Sequence, residues 1–373
     1  MTNPPPSGNW GPPQPPYGQG QPPHGPGQWP PQQGWGPPPA PPENNNLKWL
    51  LIGVAVLLVI AISVGATVLF TRDSGGGTTQ TASGNPPAAG DIASANDKGP
   101  VSIITEDPTC DAWRPINDTL ARKQAQGWGE RDYSQPASSW TPTERSMHDD
   151  IAAAMRSAAD QTVGLARTTP HRLMRELYEQ AIAYWRGYAD SIPTYTAVNN
   201  HLAGAARNAS GALVSICAAI TYKSASARTP LVNGGGSEPP SGDVGDPSAP
   251  AMFLAESKDP ACDDWIAASD DFQVDSEPWR NLDPNIAASE WNPDRTATME
   301  QMGKVFTAYA DNQDALGEKS QNSVFNDLAS LSSLYWRAFA AAIPSYTTAD
   351  TYLSNTASYV DFLILDACKA AGN

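Results

Sequence analysis

Apolar and small residues recur three and four positions apart along three stretches of the chain, and the same pattern returns 151 residues later. Ile151, Met155, Ala158 and Leu165 form the first stripe, matched by Met302, Phe306, Tyr309 and Leu316. Leu173, Leu177, Tyr184 and Tyr188 form the second, matched by Val324, Leu328, Tyr335 and Phe339. The third runs Val198, Leu202, Ala209, Ile216 and returns as Ala349, Leu353, Val360, Ala367. Three long helices are predicted in each copy, with a shorter one around 108–123 and 260–273. No period-two alternation or hairpin turn competes, so the fold class is all-α.

Start signals agree with the stripes. Thr141-Pro142-Thr143-Glu144 sets a capping Thr before a first-turn Pro, with Glu three residues after the cap, and Asn292-Pro293-Asp294 plays the same part in the second copy. Thr347 and Asp350 form a capping pair for the last helix, just after Ile343-Pro344.

The copies also share their cysteines and tryptophans. Cys110, Trp113, Trp128, Trp140, Trp185 and Cys217 return as Cys262, Trp265, Trp279, Trp291, Trp336 and Cys368, at an offset of 152 for the first two and 151 for the rest. In an up-down-up-down bundle the start of helix one and the end of helix four share one end, which predicts Cys110–Cys217 and Cys262–Cys368 disulfides. Closing loops of that length stabilises by roughly 4–5 kcal/mol on the chain-entropy model. A thiol or metal site is disfavoured, because no Cys-x-x-Cys or repeated His accompanies the pairs.

Upstream the pattern changes twice. Residues 1–46 hold seventeen prolines, one acidic side chain and no Lys or Arg, which predicts a disordered tail. Trp49–Phe70 is a continuous run of 22 apolar, small or hydroxyl residues, long enough to cross a hydrocarbon core of about 30 Å and too long for a cleaved signal peptide. The expected organisation is a tail at 1–46, a transmembrane helix at 47–71 and a flexible linker at 72–100. Helical module one at 101–223, a second flexible linker at 224–250 and module two at 251–373 complete it. Linkers of that length span roughly 30 Å, so the modules are expected to move relative to each other and to the membrane.

Lys48 on one side and Arg72 with Asp73 on the other leave the positive-inside rule little to act on. The four cysteines decide orientation: all lie downstream of the anchor, in matched pairs suited to an oxidising compartment. The tail is therefore expected in the cytoplasm and the modules outside. High Ala, more Arg than Lys and the proline-rich tail before a lone anchor resemble single-pass envelope proteins of mycobacteria and related actinobacteria. That resemblance implies a location and no activity.

Candidate chemistry is sparse. His148, His171 and His201 have Met299, Asn322 and Tyr352 as counterparts, so a histidine-based catalytic centre would exist in one module alone. Asp107, Asp111 and Asp160 recur as Asp259, Asp263 and Asp311, the strongest argument for acid–base chemistry. Asp107 and Asp111 also suit a helix start, and Asp160 is placed towards water. The run Asp263, Asp264, Asp270, Asp271, Asp275 lacks the glycine and ligand spacing of a calcium loop and reads as a solvated face. No cofactor or metal is expected, and no catalytic residue is assigned.

The densest identity between copies is Tyr184-Trp185-Arg186 with Ile192-Pro193-Thr194-Tyr195, matched by Tyr335-Trp336-Arg337 with Ile343-Pro344-Ser345-Tyr346. Two readings stand: helix packing capped by an aromatic plug, or a groove in which Trp185, Arg186, Tyr195, Trp336, Arg337 and Tyr346 bind a glycan, lipid headgroup or peptide. Charge separates the copies, with net −1 over 101–224 and net −12 over 252–373. An acidic outer module argues against nucleic acid and for a basic protein partner, cation exposure or solubility. Trp10, Tyr17, Trp29 and Trp35 among Pro-Pro pairs suit a tail that recruits a cytoplasmic partner, or a plain spacer. The leading expectation is a non-enzymatic envelope protein whose modules bind a protein or cell-wall component. The alternatives are a ligand-binding sensor signalling through the tail, and an enzyme confined to module one.

Overall fold

Thr141 and Asn292 open the longest helix of each repeat. The Thr141 hydroxyl accepts the Glu144 N–H at 3.3 Å while the Glu144 carboxylate accepts the Thr141 N–H at 2.8 Å, and Asn292 Oδ1 accepts the Arg295 N–H at 2.8 Å. Pro142 and Pro293 follow at the first turn, where a missing N–H costs nothing. The computed structural model describes residues 92–232, 244–254 and 258–371. The proline-rich tail and the run Trp49–Phe70 lie outside the described residues.

The first repeat comprises α1 (Cys110–Gln124), α2 (Pro142–Thr168), α3 (Arg172–Ser191) and α4 (Asn200–Thr221), followed by a short α5 (Ser224–Arg228). The second comprises α6 (Cys262–Asp275), a one-turn α7 (Glu277–Arg280), α8 (Pro293–Lys319), α9 (Ser323–Ala342) and α10 (Thr351–Ala371). The all-α expectation holds: among the described residues there are ten α-helices, four of them long or medium and one short in each repeat. Cys110–Cys217 and Cys262–Cys368 are both bonded, with Cα–Cα distances of 5.5 and 5.3 Å, and they join the first helix of each repeat to its last. Trp113 and Trp185 fill one interior, and Trp265 and Trp336 the other; none is more than 1% exposed.

The repeats are not separate bodies. Helices α4 and α10 pack along their lengths and run antiparallel, with Gly204 against Asp366 and Gly211 against Tyr359. A side chain at Gly211 would meet the Tyr359 ring at 2.6 Å, so the close approach depends on glycine there. Helix α4 is apolar and long enough to cross a membrane by composition, yet 67% of that window is buried inside the fold. It is the seam between the repeats.

The expected spacers also differ from the structure where they are described. Ile92 and Ser94, assigned to the first linker, are buried, and the Asp97 carboxylate accepts the Arg172 N–H at 2.7 Å. In the second, residues 224–228 are helical and Arg228 holds Asp350 with two bonds of 2.9 and 2.8 Å. The reason is complementarity that a one-dimensional pattern hides: low apolar content does not prevent docking when charged partners wait on another element.

Each repeat is led by an extended strap that touches both repeats. In the first strap, Val101, Ile103 and Ile104 are buried, Gly99 O accepts from Arg172, and the Ile104 N–H donates to the Tyr335 hydroxyl across the seam at 3.3 Å. In the second, Phe253 N–H donates to Gln180 Oε1 in α3 at 3.0 Å while Phe253 O accepts from Asn322, the cap of α9, at 2.7 Å. The Phe253 ring lies edge-on to both Tyr184 and Phe325.

Candidate functional site

The shared aromatic block is built by the middle of α3 and α9. Trp185 stacks on Trp113 at 6.1 Å between centroids, and Trp336 stacks on Phe306 at 5.1 Å with Phe272 and Trp279 at its edges. Both indoles face inwards because they continue the apolar stripe. Pro193 and Pro344 then end their helices in a tight turn, which swings Tyr195 and Tyr346 back over the bundle end. Their hydroxyls donate to Tyr133 O at 2.9 Å and Pro284 O at 2.6 Å, and their carbonyls accept from Ala137 N and Ala288 N at 2.9 Å. Each tyrosine thus ties down the loop that leads into the long helix.

Arg186 and Arg337 point the other way. Arg186 donates to Asp160 Oδ1 at 2.7 Å and to the Ser248 carbonyl at 2.6 Å; Arg337 donates to Asp311 Oδ1 at 2.7 Å and contacts Asp314 at 2.7 Å. The structure therefore separates the six proposed binding residues into four rings inside the repeats and two guanidiniums on the surface. Asp160 and Asp311, placed towards water from their helical phase, are the partners of those guanidiniums. Their joint retention at the same spacing in both copies was the available signal.

The three histidines are not brought together. His148 lies in the first turns of α2 and His171 beyond its far end, about 30 Å away at 1.5 Å per residue. His148 stacks flat on Trp140 at 3.7 Å, its Nδ1 is 3.3 Å from the Tyr188 hydroxyl, and burial, aided by Arg131, pushes it down to about 4. It is a neutral packing group near pH 7. His171 Nε2 lies 2.8 Å from Glu106 O, and His201 Nδ1 is 2.8 Å from Asp366 Oδ1.

The paired carboxylates have local employment too. Asp107 accepts the Thr109 N–H at 2.8 Å and the Thr169 hydroxyl at 2.6 Å; Asp259 accepts the Ala261 N–H at 2.8 Å and the Ser320 hydroxyl at 2.9 Å. In both copies this residue pins the start of the first helix to the turn after the second. Of the acidic run on α6, Asp263 pairs with Lys258 and Asp264 with Lys319. Among the described residues no group of three His, Cys, Asp or Glu side chains is disposed to hold a metal.

Sequence reasoning missed the charged seam. Arg172 grips Asp327 with two bonds, Arg228 grips Asp350, and Asp366 accepts from Asn208 at 2.9 Å beside His201. The basic partners come from the first repeat and the acids from the second, so part of the charge difference between copies is directed inwards. Around Arg172 lie Arg175, Glu176 and Glu179, all within 4.0 Å of an oppositely charged neighbour. Burial pushes Glu176 well above the usual carboxylate range, with Asp327 adding to the effect, and pushes Glu179 up to about 7. In the second repeat, burial raises Asp361 to about 7 although Tyr309 and Ser269 donate to it.

A shallow cleft of about 400 Å³ opens beside the first strap, between Asn96, Asp97 and Ser102 on one side and Pro170 and His171 on the other. Its lining is mainly polar.

A family model described as Mycobacterial ESX-1 associated protein matches residues 92–372, which spans both repeats and the first strap. The chain is 42% identical over 345 residues to an uncharacterized protein of Mycolicibacterium smegmatis (strain MKD8), covering 92% of this chain and 91% of that one. No solved structure matches. Two intact disulfides in such a protein point to an extracytoplasmic location for the folded region.

Proposed function

We propose, from the premise that this chain belongs to the mycobacterial ESX-1 associated protein family, that it is a non-enzymatic envelope protein whose exterior body binds a protein partner. Residues 47–71 act as a single transmembrane anchor, with the N-terminal tail in the cytoplasm and both repeats outside. The observation that carries the reading is that Trp113, Trp185, Trp265 and Trp336 are buried packing groups while Arg186 and Arg337, shared by both repeats, lie at the surface, which supports recognition on the outer face. The family description supplies the setting, so the partner is sought among proteins of ESX-1.

On that surface the shared guanidiniums of Arg186 and Arg337 are the candidate contacts. They occupy equivalent positions on two otherwise differently charged faces, each about three-tenths exposed beside an aspartate. The test is covalent crosslinking in native membranes, followed by identification of the captured species. Recovery of a defined ESX-1 protein, lost from the Arg186→Ala/Arg337→Ala chain, supports the proposal. Recovery of cell-wall polymer or a small ligand in place of a protein overturns it.

A further inference from the structure

Neither disulfide crosses the seam. Cys110–Cys217 closes the first repeat on itself and Cys262–Cys368 the second, so α4 and α10 are joined side by side through packing and polar contacts. At one end of that seam two tyrosines face each other. Tyr222 directly follows α4, where its N–H donates to Ala218 O at 2.8 Å, and Tyr352 lies in the first turn of α10. Their rings are 8° from parallel with centroids 5.2 Å apart, and the Tyr352 side chain hydrogen-bonds to that of Tyr222. Tyr222 is 47% exposed, whereas Tyr352 is half-buried.

That combination is not repeated among the described tyrosines. Tyr188 and Tyr195 are also neighbours, but their rings stand at 78° and both are at most 1% exposed, which shields them from reagents in solution. Tyr133 is exposed, yet Tyr195 meets its backbone carbonyl rather than its ring. The pseudo-symmetry supplies no second pair, because the positions equivalent to Tyr222 and Tyr352 are Asn373 and His201. Arg228, on the short helix after Tyr222, holds Ser345 and Asp350 just before Tyr352, which fixes both backbones at this end of the seam.

The geometry points to Tyr222 and Tyr352 as a site of oxidative tyrosine coupling, with hydrogen peroxide and a haem peroxidase as the oxidant, which forms a carbon–carbon bond across the seam. Each phenol gives up one electron and its hydroxyl proton to the peroxidase. The two phenoxyl radicals join through ring carbons ortho to oxygen, and the hydrogens displaced from those carbons move to the oxygens as both rings regain aromaticity. Two hydrogen atoms leave the protein in all, and one peroxide becomes two waters. Tyr222, open to solvent, has room to turn its ring onto that of Tyr352. Coupling between separate chains needs an encounter of two short-lived radicals, whereas these rings are already held together, so the step is intramolecular. The product is a third tie, one that thiol reductants do not cut.

The full chain in detergent, with its disulfides intact, is treated with hydrogen peroxide and a haem peroxidase. Expected are a blue-fluorescent monomer whose mass falls by two hydrogen atoms, and a digest in which one linked peptide pair joins Tyr222 to Tyr352. Both signals are expected to be lost in Tyr222→Phe and in Tyr352→Phe, changes that keep the rings. The peptide map of the unaltered chain decides by itself should a variant fail to fold. Coupling only between separate chains, a crosslink at other tyrosines in its place, undiminished fluorescence in a folded Phe variant, or no coupling at all overturns the site.

Discussion

Arg172 and Asp327 lie 155 residues apart in the chain and meet through two nearly parallel hydrogen bonds, with both side chains at most 4% exposed. Removing one partner leaves the other charged and buried. Arg172→Ala or Asp327→Ala is expected to cost about 3–5 kcal/mol, whereas replacing both with apolar side chains of similar volume is expected to cost far less. Denaturant unfolding of the two single variants and the double variant, read as a mutant cycle, checks this.

Packing at the seam gives a second prediction. Gly211→Ala places a methyl carbon 2.6 Å from the Tyr359 ring, close enough to force α4 and α10 apart. A loss of about 1–3 kcal/mol is expected in thermal or chemical unfolding. Gly164→Ala, in α2 with open space around its position, is the matched control and should change stability by less than about 1 kcal/mol in either direction.

The aromatic block separates packing from surface chemistry. Trp185→Ala or Trp336→Ala opens a large void and is expected to cost about 3–5 kcal/mol. Arg186→Ala and Arg337→Ala break partly exposed ion pairs and are expected to cost no more than about 1 kcal/mol each. Melting temperatures of the four variants decide it; a large loss from the arginine changes would assign those side chains to the scaffold.

Asp361 gives a pH dependence whose sign follows from burial. Its carboxyl is raised to about 7 in the folded chain from an ordinary value of 3.8, so the folded state holds the proton more tightly. Its contribution to stability is complete below about 3.8, declines as pH rises towards 7 and is flat above. Asp361→Asn should therefore gain on the unaltered chain as pH rises. Unfolding free energies at pH 5 and pH 8 test this, and a constant difference between the two proteins would refute it.

Much of the helical plan is legible in the sequence because its causes are local. Thr141 with Glu144, and Asn292 with its following proline, announce helix starts within four residues, and the matched cysteines follow from bundle geometry. The seam is not legible, because the same stripe of Ala209 and Ile216 that predicts α4 says nothing about its other faces. The structure shows what those faces do: Ala203 through Ala206, Asn208 through Ser210, and Ala212 with Leu213 are all buried, as expected of a helix packed on more than one side. Arg186 read as a binding candidate because it lies off the apolar stripe and recurs as Arg337, and the pairing of α2 with α3 brings Asp160, 26 residues away, within its reach.

The contacts that the first strap and α4 make across the seam bear on the order of folding. As the chain emerges from its N-terminus, the Ile104 amide must wait for Tyr335 and α4 for α10, whereas Asp97 and Gly99 find Arg172 within the first repeat. The face of α4 that packs on α10 is covered only once the last helix has formed, although the rest of the first repeat packs within itself. Contacts of such long sequence separation slow the search, and a chain cut short within α9 or α10 would leave its first half without a finished surface and prone to clearance.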